Sequence, residues 1–400
     1  MAFRIVYILF LLSSLALGSI YIGPVTFRQL FALIMLIFCF KKTSRVLMDT
    51  SLKFFVVFSF IFGITSILHG FFSDYFRVLV GHYFVAIIGF WSTVIAYREG
   101  NVKDFFHAFV VLGMFNALIT ILQAFGNPLA MTISAFFSPI EVEKISESFI
   151  DGDFASFSLS GIFGATSNGY YLLVASIMSL FYIFNYKHIL KFIPFAICFI
   201  GSFLCQQRTP FFVNCIFIVF FIIKIFNFLT AKYKVLLLIG VCISVVYLIP
   251  WFIEFSTQND MRYSSLGSDS TGRDYIYQHA ITYIDQNFVS ANIFGFRKIY
   301  GFSPHMLIYN MFIYGGFLGF LCIAITLFIQ LMKTIKVILM PLTKDNSLLF
   351  LASGAFLAFT ANSITHNTSI VTGDVLVWVL WGYVIAASDF RNYTKNGSIG

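Results

Sequence analysis

FFVNCIFIVFFIIKIFNFL, residues 211–229, decides the class of this protein. The stretch carries one charged side chain, Lys224, and it is nearly as long as the roughly 20 apolar residues with which a helix crosses a bilayer. Similar stretches recur along the 400-residue chain, of which 59% is hydrophobic and only 10% is charged. A soluble domain with so little charge could not keep its surface hydrated. We therefore expect an all-α polytopic membrane protein.

Twelve apolar stretches of this kind can be counted, and each is expected to form a transmembrane helix. They lie at about 5–22, 25–40, 54–70, 78–96, 105–124, 165–184, 189–206, 211–229, 235–253, 307–332, 347–364 and 375–388. Two long polar segments, 126–164 and 254–306, separate some of them and are expected on the outer side of the membrane. Because no internal repeat or linker is visible, residues 1–400 are expected to form a single integral membrane domain.

The basic residues indicate which connections between the spans face the cytoplasm. With Met1 placed inside, the cytoplasmic side carries 17 of the 25 Lys and Arg, and the outer side carries 8. This excess agrees with the positive-inside rule and places both termini in the cytoplasm. The net charge of +8 is thus mostly a consequence of topology. It gives no reason to expect a nucleic acid as a partner; the expected surroundings are the lipid bilayer.

Lys and Arg are divided unequally between the two sides. Thirteen of the 15 Lys lie inside, whereas six of the 10 Arg lie outside: Arg28, Arg77, Arg208, Arg262, Arg273 and Arg297. A planar guanidinium grips phosphate or carboxylate through two parallel hydrogen bonds, which a Lys ammonium cannot do. An anionic partner on the outer side is one interpretation. The other, for about half of these Arg, is a side chain that reaches the interface or the solvent.

The later outer segment, 254–306, gathers ionisable side chains: Arg262, Arg273, Asp274, Asp285, Arg297 and His305. From Asp274 to Asn287 the apolar residues follow helical spacing, which predicts an amphipathic helix on the membrane face. The acidic residues of the first outer segment, between Glu141 and Asp153, lack the ligand spacing of a calcium loop, so no metal site is expected.

Three positions carry the functional interpretation. Arg208 stands in a connection so short that it must lie at the membrane surface, where an unpaired charge is costly. Arg273 opens the predicted surface helix, where free backbone N–H groups favour an anion. His305 directly precedes the tenth span, and an imidazole there could accept a proton from a sugar hydroxyl. Plainer alternatives remain: interfacial side chains for Arg208 and His305, and a salt bridge to Asp269 or Asp274 for Arg273.

In their order along the chain, these motifs resemble the O-antigen polymerase and O-antigen ligase superfamily. The matching residues are Gln207-Arg208-Thr209, Gly272-Arg273-Asp274, Gly295, and Pro304-His305 through Asn310 to Gly315-Gly316 and Gly319. The similarity of topology covers most of the chain, whereas the residue matches occupy about 200–320. Each motif is short, and the resemblance is carried by their order and by the side of the membrane on which they fall.

This resemblance implies glycosyl transfer at the outer face of the bacterial cytoplasmic (inner) membrane, without a metal or another cofactor. Polymerase members transfer a growing oligosaccharide from undecaprenyl pyrophosphate to a new lipid-linked repeat unit of a lipopolysaccharide or capsule, and ligase members transfer it to lipid A-core. Carried onto this chain, Arg208 and Arg273 would bind the donor pyrophosphate and His305 would be the catalytic base. Arg297 and Asn310 would help to bind the substrate. A chain-length regulator protein would be a partner of a polymerase.

Two departures from the family pattern bear on the choice. Met306 follows His305 where ligase members often carry Asn, Ser or Gln, which favours a polymerase. One polymerase pattern, an Arg with a Gly sixteen residues later, is absent, because those positions are Lys224 and Val289. A lipid-linked oligosaccharide flippase or secondary transporter is the alternative from another class, although transporters place polar substrate groups at mid-bilayer and often show two related halves. A membrane acyltransferase or an assembly partner is a third.

Overall fold

The computed structural model describes, besides isolated positions, residues 2–17, 20–22, 25–40, 49–68, 78–137, 159–164, 167–185, 189–226, 307–364 and 373–396. This part is all-α apart from one antiparallel pair of two-residue strands, β1 (Tyr21–Ile22) and β2 (Val25–Thr26). Five of its helices are long and apolar enough to cross a membrane, as an α-helical membrane protein requires. The prediction of an all-α fold is thereby confirmed.

The α-helices follow one another with short connections wherever the chain is described. In chain order they are α1 (Ala2–Ala16), α2 (Phe27–Phe40), α3 (Thr50–Leu68), α4 (Phe84–Arg98), α5 (Val102–Ala124), α6 (Pro128–Phe137), α7 (Asn168–Ser179), α8 (Phe181–Asn185), α9 (Ile193–Leu204), α10 (Arg208–Phe226), α11 (Leu307–Leu339), α12 (Ser347–Ser363) and α13 (Val375–Asn396). A π-helical turn, Leu79–Tyr83, leads into α4, and a 3-10 turn, Ile189–Phe192, leads into α9.

Helices occupy eleven of the twelve predicted spans; of the other, 235–253, only isolated positions are described. The predicted span 165–184 is divided into α7 and α8 by a turn at Leu180. Residues 128–137, within the predicted first outer segment, form α6. The predicted amphipathic helix from Asp274 to Asn287 and the acidic residues from Glu141 to Asp153 lie in parts of the chain of which at most isolated positions are described.

Polar side chains fix where several helices begin. Thr26 and Gln29 exchange hydrogen bonds between side chain and backbone N–H at 3.3 and 2.8 Å, a capping box ahead of α2. Asp49, Asn127 and Asp374 each accept a hydrogen bond from a backbone N–H two residues later, at 3.0 Å for Asn127 and 2.8 Å for Asp374. These bonds satisfy donors that have no partner inside the helix. Caps of this kind let short polar connections separate very apolar helices.

The helices form two compact units, which are described separately. Unit 1 comprises residues 1–112, 271–340 and 348–400, and unit 2 comprises residues 113–270 and 341–347. The core of unit 1 is aromatic: Phe55 lies 4.4 Å from Trp378 and 5.3 Å from Tyr83 between ring centroids. All three rings are fully buried, and such rings contribute large apolar areas to a core.

Glycine allows α4 and α13 to approach closely within unit 1. A Cβ on Gly89 would lie 2.9 Å from Val375 Cγ2, and a Cβ on Gly382 would lie 2.8 Å from the Phe90 carbonyl oxygen. Each glycine therefore accepts a side chain or backbone of the other helix. Membrane helices associate through such small-residue contacts because lipid gives them no hydrophobic driving force.

A polar cluster joins three helices at one end of unit 1. Trp381 Nε1 on α13 donates to Ser51 Oγ at 2.7 Å and to Asp49 Oδ2 at 3.2 Å. Lys333 Nζ on α11 lies 3.3 Å from Asp49 Oδ1, and Thr326 Oγ1 donates to the Ser51 carbonyl oxygen at 3.2 Å. The start of α3 is therefore fixed to the middle of α11 and to α13.

Helix α11 bends at Gly316, where φ is 59° and ψ is −156°. This backbone conformation is essentially restricted to glycine. On either side of the bend, Gly315 and Gly319 face Phe58 of α3, with Cβ positions 3.2 and 3.3 Å from its ring. The first turns of α11 thus take a different direction from the long apolar helix that follows, Gly315–Leu339.

Candidate functional site

Arg208 is the first residue of α10, and the three-residue turn Cys205–Gln207 connects it to α9. Gln206 in this turn has φ 60°, a left-handed conformation that a non-glycine residue adopts only when its surroundings enforce it. Gln206 and Gln207 are 1% and 4% exposed, whereas Arg208 is half-buried. The start of α10 also carries the positive end of the helix dipole, so an anion at this place would meet that dipole and the Arg208 cation.

The start of α7 and the segment 159–164 hold the turn from two sides. A Cβ on Gly169 would lie 2.2 Å from Gln207 Oε1 and 2.8 Å from Gln207 Cβ, so only glycine leaves room for this side chain. The Leu159 N–H donates to the Cys205 carbonyl oxygen at 3.2 Å. The conformation of the turn, and with it the position of the Arg208 backbone, therefore depends on both neighbours.

Three buried polar residues of α5 lie next to the segment 159–164. Asn116, Thr120 and Gln123 are spaced i, i+4 and i+7, which places them on one face of the helix, and each is 0% exposed. Asn116 Nδ2 donates to Asn168 Oδ1 at 2.6 Å. Asn168 Nδ2 donates in turn to Thr120 Oγ1 at 3.0 Å and to the Leu159 carbonyl oxygen at 2.8 Å. Asn168, the first residue of α7, thus joins α5 to the segment 159–164.

The same segment receives further hydrogen bonds from α5. The Gly161 N–H donates to Gln123 Oε1 at 2.9 Å, and the Ile162 N–H donates to Asn116 Oδ1 at 2.8 Å. Gln123 Nε2 donates to Ser160 Oγ at 3.2 Å. Gly161 has φ 51°, and a Cβ on it would lie 2.2 Å from Asn116 Oδ1. We call Asn116, Thr120, Gln123, Ser134, Ser160 and Asn168 the polar network of unit 2.

The polar network consists of amides and hydroxyls without an ionisable group. It can orient a neighbour or a ligand, but it supplies no general base or strong nucleophile at neutral pH. Its hydrogen-bonding atoms are largely satisfied by one another, so its first effect is to fix the segment 159–164 and, through Leu159, the turn before Arg208. Within the residues that the structure describes, no group of three His, Cys, Asp or Glu side chains could hold a metal ion.

Of the five predicted site residues, Arg208 is described in full. Asn310 lies in the first turn of α11, where only its backbone is described. Arg273, Arg297 and His305 lie outside the described residues. The structure therefore gives the surroundings of Arg208 at the start of α10, while the site itself and its assembly from the later outer segment stay a prediction.

The polar network itself was missed by the sequence interpretation, which weighed charged residues and not amides. A signal was present, since Asn116, Thr120 and Gln123 recur at helical spacing inside an apolar span. Polar side chains inside a membrane helix face protein or a water-filled space, which is a reason to expect partners for them. Their partners Ser160 and Asn168 follow about 40–50 residues later, and no local pattern connects them.

Comparisons of this chain with protein-family models, with curated proteins and with solved structures find no match.

Proposed function

We propose that this protein is a metal-independent membrane glycosyltransferase, a polysaccharide polymerase. It would join undecaprenyl-pyrophosphate-linked oligosaccharide repeat units of a surface polysaccharide on the outer side of the bacterial cytoplasmic membrane. The proposal includes a chain of twelve spans with both termini in the cytoplasm. The observation that supports it best is the placement of Arg208 at the start of α10, directly after a turn that contacts Leu159 and Gly169.

A fixed start of α10 suits the binding of a pyrophosphate. Arg208 brings a cation with two parallel donors, and the helix brings the positive end of its dipole. Such donors stabilise a developing charge most when they need not reorganise during the reaction. Gln206, with its left-handed backbone, shows that the surroundings determine the turn. An Arg on a mobile loop would lack this preorganisation.

The proposed reaction displaces a lipid pyrophosphate by a sugar hydroxyl. The oxygen of the acceptor hydroxyl forms a bond to the anomeric carbon of the donor chain, while the bond between that carbon and the pyrophosphate oxygen breaks. Undecaprenyl pyrophosphate leaves with the electron pair, and Arg208 and Arg273 balance its charge. His305 takes the proton of the attacking hydroxyl, and Arg297 and Asn310 help to hold the substrates. These roles follow from the family resemblance and from the chemistry of each side chain.

The decisive experiment separates charge from geometry at Arg208. The Arg208→Lys variant keeps the positive charge and loses the planar fork. A lost charge-assisted hydrogen bond costs on the order of 1.5–3 kcal/mol, which corresponds to roughly a ten- to hundredfold lower rate. We expect polymer synthesis from purified lipid-linked repeat units in proteoliposomes to fall by that factor. Arg28→Lys, at the second position of α2, is the matched control and should leave synthesis unchanged.

The products in the same assay distinguish the alternatives. A ladder of lipid-linked polymer supports a polymerase, whereas a single transfer to added lipid A-core indicates a ligase. Movement of labelled lipid-linked oligosaccharide across the bilayer without a new glycosidic bond indicates a transporter. Wild-type ladders from Arg208→Lys, at equal amounts of inserted protein, would remove Arg208 from the pyrophosphate site even if the polymerase assignment held.

His305 provides an independent test of the chemical step. The His305→Ala variant should insert normally and produce little polymer, so that lipid-linked single repeats accumulate. Loss of a base lowers the rate of transfer more than the binding of the donor. Binding of the donor to this variant, measured in detergent, is therefore expected to stay close to that of the wild type. Full-length polymer from His305→Ala would leave this histidine without a role in the reaction.

A further inference from the structure

We propose that α6 lies in the membrane interface, with its exposed face against the acyl chains of bilayer lipids. This inference goes beyond glycosyl transfer and does not depend on it. Helix α6 has ten residues and therefore a length of about 15 Å, half of a hydrocarbon core of roughly 30 Å. It is too short to cross the membrane, so a transmembrane position does not explain its exposed apolar side chains.

One face of α6 is exposed and suited to hydrocarbon. Leu129 is 66% exposed and Phe136 is 68% exposed. Thr132 is exposed between them, and the spacing i, i+3, i+7 places all three on the same face. The Thr132 hydroxyl donates to the Pro128 carbonyl oxygen of its own helix at 3.0 Å. The only hydroxyl on this face is therefore satisfied without water.

The opposite face of α6 is fixed to the polar network. Ser134 is fully buried, its Oγ lies 2.8 Å from Ser160 Oγ, and it donates to the Gly161 carbonyl oxygen. Met131 Sδ lies 3.9 Å from Gln123 Nε2, in the last turn of α5. Helix α6 consequently lies beside the end of α5 and does not extend away from it. In an isolated interfacial helix this face would carry charged side chains and contact water. In this protein, other parts of the chain cover it.

Helix α5, which directly precedes α6, carries an exposed apolar surface of its own. Four side chains of α5 and of the turn after it are exposed at a spacing of three or four residues, and they form one stripe: Phe115 44%, Leu118 44%, Leu122 37% and Phe125 78%. Helix α5 is among the helices able to cross a membrane, with a mean hydropathy of 2.1. The stripe reaches Phe125, directly before the Asn127 cap of α6.

The charge pattern favours lipid over a protein partner. No Lys, Arg, Asp or Glu occurs between Asp104 and Glu141, a stretch that covers nearly all of α5, the turn and α6. Protein interfaces usually surround an apolar centre with a polar rim. The ends of α6 provide no such rim of charged side chains, so acyl chains fit this face best.

Spin labels test this placement without reference to activity. Single cysteines are introduced by Leu129→Cys, Thr132→Cys and Phe136→Cys into a cysteine-free variant, labelled with a nitroxide and reconstituted into proteoliposomes. Leu118→Cys on α5 is the control for bilayer contact, and Glu99→Cys, in the exposed turn after α4, is the control for water. At the three α6 positions and at Leu118→Cys, we expect the nitroxide to collide several-fold more often with oxygen, which partitions into the bilayer, than with a water-soluble nickel chelate.

Depth distinguishes an interfacial helix from a deeply inserted one. A fluorophore at Phe136→Cys should be quenched more strongly by lipids with a nitroxide near the head group than by lipids with it near the end of the acyl chain, and Leu118→Cys should show the reverse. If nitroxides on α6 collided more often with the nickel chelate than with oxygen, this face would contact water and the proposal would be overturned. Low collision rates with both reagents would overturn it in favour of a second protein surface, and quenching like that of Leu118→Cys would overturn the interfacial depth.

Discussion

Unit 1 and unit 2 use buried side chains in different ways. In unit 1 the centre is a group of aromatic rings, and its polar cluster around Asp49 lies at one end with Lys333 partly exposed to water. In unit 2 a fully buried network of amides and hydroxyls lies between α5, α6 and α7. Aromatic packing tolerates small shifts, because dispersion forces have no strict direction. Hydrogen bonds between buried amides do not tolerate such shifts, since each group that loses its partner carries a desolvation penalty.

This difference indicates where the molecule requires a fixed geometry. The polar network determines the conformation of residues 159–164, and these residues in turn contact the turn before Arg208. Disturbing it should therefore affect stability and the proposed site together. Disturbing the charged end of unit 1 should cost little, because solvent can replace part of what is lost. The following variants test this ranking, from the largest expected effect to the smallest.

The substitution Gly161→Ala should have the largest effect. Its control is Gly100→Ala, since both glycines have a positive φ, 51° and 74°, but a Cβ on Gly100 would have no atom within 4 Å. The control should cost only the strain of the left-handed backbone, about 1–2 kcal/mol. At Gly161 the Cβ would also collide with Asn116 Oδ1, and overpacking adds about 1–3 kcal/mol. Thermal denaturation in detergent should rank Gly161→Ala well below Gly100→Ala, and equal midpoints would show that the network yields easily.

Asn168→Ala comes next. It removes one partner of Asn116, Thr120 and the Leu159 carbonyl group, and leaving such buried groups unsatisfied should lower the free energy of unfolding by about 2–4 kcal/mol. Ser179→Ala in the same helix is the control, because its fully buried hydroxyl bonds only to the Ser176 carbonyl oxygen of its own helix. We expect a lower thermal midpoint for Asn168→Ala than for Ser179→Ala. A similar loss for both would mean that Asn168 contributes no more than a local hydroxyl does.

Much of the fold, but little of this network, could be predicted from the sequence. Eleven apolar runs contain twelve of the described α-helices, because lipid imposes a simple requirement of length and hydropathy and one run is divided into α7 and α8. Helix α6 lies in the segment 126–164, which was predicted from its polar residues as an outer loop; Asn127 caps this helix and Pro128 is its first residue. The bend in α11 depends on Gly316 having a backbone conformation that a sequence pattern does not reveal.

For the candidate site, the sequence predicted Arg208 in a short connection before the span 211–229, and the structure places it at the first residue of α10. The surroundings of Arg208 were not predicted. The contacts between Gly169 and Gln207 and between Asn116 and Asn168 join residues about 40–50 positions apart, and they arise only when α5, α7 and α9 pack together. The helical spacing of Asn116, Thr120 and Gln123 indicates that these side chains need partners, but a single sequence does not indicate which residues the partners are.

Gly169→Ala should have an intermediate effect that depends on one neighbour. The new Cβ would press on the Gln207 side chain, of which the end can move but the Cβ, at 2.8 Å, cannot readily do so. We expect a loss of about 1–3 kcal/mol in the free energy of unfolding, as for overpacking elsewhere. In a Gln207→Gly background the same substitution should cost little, because the obstructing side chain is gone. An unchanged penalty in that background, measured as a double-mutant cycle, would place the strain of Gly169→Ala elsewhere than at the turn before Arg208.

Asp49→Asn should have the smallest effect and marks the contrast between the two units. The substitution removes the ion pair with Lys333, whose side chain is 43% exposed, but leaves an amide oxygen that can accept from Trp381 or Ser51. The Asp49 side chain is 8% exposed while Lys333 stays open to water, so the pair should contribute near the upper end of the about 0.2–1 kcal/mol of exposed ion pairs, and the midpoint should fall only slightly. Salt near 1 M shortens the screening length to about 3 Å and should reduce even this difference. Asp49→Ala is the matched variant: it also removes the cap of α3, which costs about 1 kcal/mol more. If Asp49→Asn instead destabilised the protein as much as Asn168→Ala, and did so at high salt, the charged end of unit 1 would have to be counted as a buried network like that of unit 2.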